Sequence, residues 1–447
     1  MNSKDIIDVM VQKANLALEK YMKMDQKKVD EIVSKMAQAA IENSEKLALM
    51  AFEETKKGNF KDKISKNIFA SKNVFDSIKN EKTVGIINEN KSEGVTEIAD
   101  PLGVIAGVTP VTNPTSTVIF KTLICTKTRN PIIFGFHPGA KNCCIETAKI
   151  LRDAAVSAGA PEDLIQWIEE PSIEATSSLM NHPGVAVVLA TGGAAMVKSA
   201  YSTGKPALGV GPGNVPCYIE KTANVQRACE DVLLSKTFDN GMICASEQSV
   251  IVDKEISKEF EEVAKKLGFY FLSDLEAKKL SGFIFNEANG KLNVKIVGQS
   301  ACDIAKMADI SVPENTKILV AKLEKAGYDV PLSAEKLSPI LGYFISNDSN
   351  EAFKICESIL DFGGRGHTAS IHSENSEVIK NFGLKMIAGR ILVNTPSSQG
   401  AIGGIYNSNI PSLTLGCGSH GKNSVSSNIS IKNLVNIKKI FMRIKNI

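Results

Sequence analysis

A chain of 447 residues is too long for one ordinary core, and 43% hydrophobic and 23% charged residues exclude a disordered protein. Lysine and arginine number 52 against 49 acidic residues, a net charge of +3, which gives no case for nucleic acid as the main partner. Nine cysteines, an odd count at irregular spacing, fit reduced thiols in a cytoplasmic protein better than a disulfide framework.

The N-terminal MNSKDIIDVMVQK carries acids within its apolar stretch and no cleavage site, so it does not read as a signal peptide. Ile6, Met10, Ala14, Ala17 and Tyr21 recur at three- and four-residue steps, the period of one helix face. VDEIVSKMAQAAIENSEKLALMAFEETKKG keeps that period as far as Gly58, so roughly the first 80 residues read as helical. The lysines along these stretches read as solvated faces. TVGIINENKSEGVTEIADPLG then predicts a hairpin over about 82–100.

From Pro101 short apolar strands alternate with helical segments. GVIAGVTPV, NPIIFGFHP, LIQWIEEP and GVAVVLATGG are the strands, and AKNCCIETAKILRDAAVSAGAP is a helix ending at Gly159. This alternation predicts a parallel sheet covered by helices, with ligands at the carboxyl ends of strands. Those ends carry TPVTNP, GFHPGAK and ATGGAAM. The segment from about Thr237 to Gly403 repeats the theme, with QSVIV and GRILVNTP as strands, and reads as a second α/β domain. NSVSSNIS reads as a loop or edge, and the basic KKIFMRIKNI as a packed terminal element rather than a membrane contact. No apolar run reaches the roughly 18 residues that a membrane span needs. With no CxxC or HExxH, and with His137, His182, His367, His372 and His420 dispersed, no metal site is expected.

Taken singly, the candidate motifs keep two readings. Thr191-Gly192-Gly193 leads from a strand into a helix, which suits a pyrophosphate but also a plain strand–helix turn, because GxGxxG is absent. GVGPGN, with Gly211 and Gly213, is a loop against a ligand or a turn before VPCYIE. Asn113 is a turn-former before Pro114 or a side-chain donor. Cys244, in SKTFDNGMICASEQSV, is inert core or nucleophile.

Their combination and order decide between these readings. TNPTST, SKTFDNGMICASEQSV, EKLSP, RGHTAS, TPSSQG and SLTLGCGS together resemble the CoA-acylating branch of the aldehyde dehydrogenase superfamily over essentially the whole chain. The resemblance implies a Rossmann-type dinucleotide-binding domain over 1–236, including the hairpin. It also implies a catalytic α/β domain over 237–412 and a C-terminal return segment over 413–447 that serves in oligomerisation. Cys244 then becomes the nucleophile, with Asn113 and the Cys244 backbone N–H as donors to the oxyanion. His367 becomes an acid/base for thiol exchange, against its alternative as a turn histidine beside Gly366. Glu335 becomes the partner of the nicotinamide ribose, against an exposed helix-start glutamate. Thr109, Pro110, His137, Gly139, Thr191, Gly192, Gly193, Gly211 and Gly213 join the cofactor site.

Hydrolytic relatives place a water-activating glutamate where Val210 stands here, so the acyl thioester is expected to wait for coenzyme A. Glu247, near Cys244 in sequence, reads as structural. No histidine or lysine lies within a helical turn of Cys244, Lys236 being the nearest. Positive charge or backbone dipoles brought by the fold are therefore expected to make the thiolate. NAD is the expected dinucleotide, and NADP stays open because Ala140, followed by Lys141, stands where a glutamate often favours NAD. His420 departs from the tryptophan usual in bifunctional alcohol/aldehyde dehydrogenases. No iron-dependent alcohol dehydrogenase half follows Ile447, so the reaction is expected to stop at the aldehyde. Acetaldehyde is the default substrate, with propionaldehyde, butyraldehyde, succinate semialdehyde and sulfoacetaldehyde open, and a homodimer or higher homo-oligomer is implied.

Overall fold

The computed structural model describes residues 3–285 and 292–445. The ends of the N-terminal stretch and of the basic C-terminal segment, residues 1–2 and 446–447, lie outside them. Helices Ser3–Tyr21, Gln26–Glu42, Ser44–Thr55, Phe60–Ile68 and Val74–Ile78 fill the start of the chain. Asp25 caps the second, its carboxylate accepting from the Lys28 N–H. The third stops at Thr55, with Lys56 in the left-handed region, three residues before the stop expected at Gly58.

The expected hairpin is β1 (Gly85–Asn90) paired antiparallel with β2 (Val95–Pro101). Next come β3 (Val104–Val108), β4 (Ile132–Gly135), β5 (Ile165–Trp167), β6 (Val185–Thr191) and β7 (Ala207–Val210). These five are parallel in the order β5-β4-β3-β6-β7. The order reverses between β3 and β6, the place where doubly wound sheets open a crevice at their carboxyl ends. The second sheet holds β8 (Val215–Ile219), β9 (Glu247–Asp253), β10 (Phe269–Phe271), β11 (Ile318–Lys322), β12 (Ile340–Ser346), β13 (Gly366–His372) and β14 (Ala388–Val393). It is also parallel, in the order β10-β11-β12-β9-β8-β13-β14. β8 precedes residue 236, yet it pairs with β9 and β13 of the second sheet. The helix Val225–Thr237 joins that sheet's core through Ala228, Cys229 and Val232.

The strands flanking each crossover are buried on both faces, which explains why they read as unbroken apolar runs. The helix Pro114–Lys127 is buried around its whole circumference. Its Lys121 points at the switch point, donating to the Val108 carbonyl (2.5 Å) and the Leu189 carbonyl (2.8 Å). Burial pushes that ammonium down to about 7.

The C-terminal segment runs back over both sheets. Ser424 donates its N–H to the Tyr201 hydroxyl (3.0 Å) and its hydroxyl to the Ala207 carbonyl (2.9 Å). It ends in β15 (Val435–Phe441), which pairs antiparallel with β2 along its length. The tail is thus a paired strand, as a packed terminal element requires, but Ile440 (52%) and Phe441 (73%) stay exposed. All nine cysteines are free. Among the described residues no helix is long and apolar enough to cross a membrane.

Asn130 ties three distant pieces of chain together. Its Oδ1 accepts from the N–H groups of Leu102 (2.7 Å) and Gly103 (3.1 Å). Its Nδ2 donates to the Leu434 carbonyl (2.8 Å) and Thr128 Oγ1 (2.7 Å). Replacing it with alanine leaves buried groups unpaired at a cost of about 2–4 kcal/mol. Asn130→Ala should therefore lower the midpoint of urea unfolding followed by circular dichroism.

Candidate active site

The site forms where the two sheets face each other, and it starts from a glycine. The chain leaves β7 at Val210 and enters β8 at Val215 through Gly211-Pro212-Gly213-Asn214. A side chain on Gly213 would sit 2.1 Å from the Cys244 carbonyl oxygen and 3.1 Å from the His367 ring, so only glycine fits. Gly213 also donates its N–H to Glu335 Oε1 (3.0 Å). Gly213 thus shapes the loop of Cys244, whereas a methyl group on Gly211 would meet nothing within 4 Å.

Cys244 is half-buried in the turn between a short 3₁₀ segment, Phe238–Gly241, and β9. Its Sγ lies 3.2 Å from His367 Nε2. His367 is fully buried near the start of β13, and Gly366 before it has φ +79° and no room for a side chain against the Cys417 carbonyl. The other ring nitrogen, Nδ1, lies 2.9 Å from Thr368 Oγ1. Arg390, on β14, donates to that same hydroxyl (3.2 Å), to the His367 carbonyl (2.7 Å) and to the Gly416 carbonyl (2.8 Å). The histidine missing from the local sequence of Cys244 is therefore supplied from 123 residues away.

The electrostatics depart from the expectation of a preformed thiolate. Burial, then the charges of Glu335 and Cys417, push the Cys244 thiol up to about 12, while Arg390 pulls it the other way. Burial and the nearby Arg390 hold the His367 imidazole well below its ordinary range, so it is neutral. Burial raises Glu335 to about 7 against the Gly213 N–H and the ammonium groups of Lys236 and Lys336. The resting arrangement is a protonated thiol beside a neutral imidazole. In the tautomer that donates Nδ1–H to Thr368, the Nε2 lone pair faces the sulfur.

Asn113 precedes the helix Pro114–Lys127 but does not cap it through its side chain. Its Oδ1 accepts from Lys66 Nζ (2.6 Å), and the same ammonium donates to the Met242 carbonyl (3.2 Å) beside Cys244. Lys63 and Lys66, read from sequence as a solvated face, are both buried and both contact Asp239 Oδ2. Their helical spacing is that of an exposed charged stripe. Asp239, which draws them inward, is 173 residues away from Lys66, so nothing local signals it.

Seven of the predicted cofactor residues, Thr109, Pro110, His137, Gly139, Thr191, Gly192 and Gly193, cluster at the carboxyl ends of β3, β4 and β6, whereas Gly211, Gly213 and Glu335 lie beside the Cys244 turn. Thr109 is buried, its Oγ1 3.9 Å from Cys144 Sγ, and Pro110 follows it half-buried. His137 is exposed and accepts from the Gly139 N–H (3.0 Å) through Nδ1. Thr191 Oγ1 meets Thr414 Oγ1 at 3.0 Å, drawing the C-terminal segment over the end of β6. The helix Ala194–Tyr201 starts at Gly193 with no side-chain cap, and a methyl group there would meet nothing within 4 Å. Backbone N–H groups left open at a helix start, behind two glycines, fit a dinucleotide pyrophosphate.

Lys141 is engaged by Glu170 Oε1 (2.6 Å). The start of its helix is capped by Glu54, whose oxygens accept from the N–H groups of Asn142 (2.8 Å) and Cys143 (2.7 Å). No local motif marks Glu54, which lies 88 residues before Asn142. Glu247 opens β9, and its Oε1 accepts from the Ser397 N–H (2.9 Å). Val210 is buried, and His420 is exposed in the turn Ser419–Gly421. Among the described residues no group of three or more His, Cys, Asp or Glu is placed to hold a metal.

Two parallel sheets that meet at a cysteine–histidine pair define an α/β enzyme with a crevice for a ligand at its strand ends. Residues 1–268 match the model of the aldehyde dehydrogenase family, and the chain belongs to that family. It is 53% identical over 456 residues to aldehyde-alcohol dehydrogenase 2 of Entamoeba histolytica, covering 100% of this chain and 52% of the relative. The chain thus spans about half the length of such curated relatives. An acetylating aldehyde dehydrogenase from Geobacillus thermoglucosidasius superposes with a TM-score of 0.97 at 46% identity, over 100% of this chain and 98% of that one. A propionaldehyde dehydrogenase from Rhodopseudomonas palustris, with bound CoA and an acylated cysteine, gives 0.87 at 27% identity over 98% and 97%.

A thiol held near 12 has a testable signature. Alkylation of Cys244 by iodoacetamide, mapped by peptide mass spectrometry, should rise about tenfold per pH unit from 7 to 10 without levelling, because the thiolate fraction grows with pH below the pKa. A plateau below pH 9 would contradict the electrostatics described for the resting enzyme.

Proposed function

We propose that this chain converts a small aldehyde, acetaldehyde by default, and coenzyme A to the acyl-CoA thioester, with NAD as electron acceptor. The observation that carries the reading is a thiol 3.2 Å from a neutral imidazole, with valine where a water-activating glutamate would stand. The Cys244 sulfur adds to the aldehyde carbon while its proton passes to His367 Nε2, giving a thiohemiacetal. Asn113 Nδ2 and the Cys244 N–H receive the negative oxygen; losing one such donor costs ~10²–10³ in rate. The dinucleotide supplies the two-electron acceptor for the hydride that leaves the aldehyde carbon. The aldehyde carbon is thereby oxidised and remains on Cys244 as a thioester.

Val210 cannot take a proton from water, so the thioester persists. His367 first releases the Cys244 proton to solvent; the thiol of coenzyme A then attacks the carbonyl and gives its proton to His367, and Cys244 leaves as a thiolate and takes that proton back. Glu335 holds the Gly213 N–H and stands ready for the nicotinamide ribose. The Glu54 carboxylate supports NAD over NADP, because it occupies the helix start where a 2′-phosphate would otherwise find backbone N–H groups. Nine free thiols suit a cytoplasmic setting. The three-stranded sheet, exposing Ile86, Ile437, Ile440 and Phe441, supports pairing of copies.

NADH production from an aldehyde panel, with and without coenzyme A, tests the reaction. Turnover is expected only with coenzyme A, and Cys244→Ser should abolish it while dinucleotide binding remains. Free acid formed without coenzyme A would point to a hydrolytic enzyme instead. In the same assay Glu54→Gln should raise turnover with NADP relative to NAD. Light scattering should give a mass of two chains or more, and a monomer would refute the pairing.

A further inference from the structure

The buried lysine behind Asn113 has no counterpart among the residues that do the chemistry. Lys66 is 4% exposed and its ammonium has three N–H groups and no lone pair. Three acceptors meet it: Asp239 Oδ2 at 2.5 Å, Asn113 Oδ1 at 2.6 Å and the Met242 carbonyl at 3.2 Å. Because Nζ can only donate, Asn113 must turn its oxygen toward Lys66 and its Nδ2 away from it. Nδ2 has one contact, Thr112 Oγ1 at 3.2 Å, which leaves a second N–H for a ligand. The Met242 carbonyl lies two residues before Cys244, so one ammonium grips both chain segments that carry the oxyanion donors.

The support behind Lys66 is rigid. Asp239 sits in the left-handed region at φ +48° and is fully buried. Its Oδ1 accepts from the Asn59 N–H (2.8 Å), and its Oδ2 also takes Lys63 at 3.2 Å. Its own N–H donates to Asp62 Oδ2 (2.7 Å). Gly58 leaves no room for a methyl group against this carboxylate. Two cations therefore share one anion, and only one of them reaches Asn113.

Resting on the acylating reaction assigned to this site, we infer that Lys66 is a positioning residue: it fixes the Asn113 amide with Nδ2 toward the reacting oxygen and holds the Cys244 turn in register with it. A role limited to neutralising Asp239 would be shared with Lys63, and this separates the two accounts.

The experiment compares Lys66→Met with Lys63→Met, since each removes one cation from Asp239. Lys66→Met should lower kcat about 10²-fold with the KM values for NAD and coenzyme A nearly unchanged, as loss of one oxyanion donor does. Lys63→Met should leave kcat of the folded enzyme within about threefold of wild type, because Lys63 meets Asp239 but neither Asn113 nor the Met242 carbonyl. In an Asn113→Ala background, Lys66→Met should cost less than about threefold more, because its partner is gone. Lys66→Gln, which keeps one donor, should fall between wild type and Lys66→Met and carries the same cycle if the methionine variant does not fold. Equal losses for Lys63→Met and Lys66→Met, or full additivity with Asn113→Ala, would overturn the inference.

A readout independent of turnover is the side-chain ¹⁵N resonance of Asn113, assigned by its loss in Asn113→Ala. It should shift in Lys66→Met and hold in Lys63→Met. No shift in Lys66→Met overturns the inference even if the substrate class is misassigned, whereas wild-type inactivity with every aldehyde overturns only the reaction.

Discussion

The backbone of Gly213 and the carbonyl of Cys244 approach so closely that no side chain can stand between them, and the rest of the site follows from that contact. The loop Gly211–Asn214 is where the chain passes from the first sheet to the second. Asn214 anchors it by donating to the Ser333 and Ile359 carbonyls, both at 2.9 Å. Gly364 in turn lies against the Asn214 backbone with no room for a methyl group. With the carbonyl of Cys244 pressed on Gly213, its sulfur meets the His367 ring. Fold and reactive geometry share one packing constraint.

Around this contact the protein buries lysine side chains to organise carbonyl oxygens and amides. Lys121 joins the ends of β3 and β6, Lys66 joins Asn113 to Met242, and Lys336 donates to the Leu332, Ala334 and Gln248 carbonyls. Each loses hydration and regains it as fixed acceptors, so each is held in one geometry. The same dryness raises the Cys244 thiol and lowers the His367 imidazole. In the proposed reaction, proton transfer between these two neutral groups creates charge only when a carbonyl is present to receive the sulfur.

Much of the architecture was legible in the sequence because periodicity is local. The helical first 80 residues, the hairpin, and the alternation from Pro101 all follow from side-chain spacing. The division of the chain was less legible. VPCYIE reads equally well as the last strand of one sheet or the first of another, and β8 joins the second because β9 and β13 offer it hydrogen bonds. Lys63 and Lys66 were misread because burial of a charge depends on a partner far along the chain, here Asp239. Glu54 and Arg390 escaped for the same reason: each acts on backbone groups that no motif marks.

By itself the sequence determined which residue types were available: one cysteine in a glycine-flanked turn, an asparagine before a helix, a histidine entering a strand, and valine in place of a carboxylate. It also pointed to parallel sheets, since short apolar strands alternating with helices bury their faces under those helices. Only the tertiary structure decided that His367 touches Cys244, that the thiol rests protonated, and that Lys66 faces inward to Asn113. Hydrogen bonds and desolvation act through distances in space, and residues 47 to 123 positions apart come within 3.2 Å only after the chain has packed.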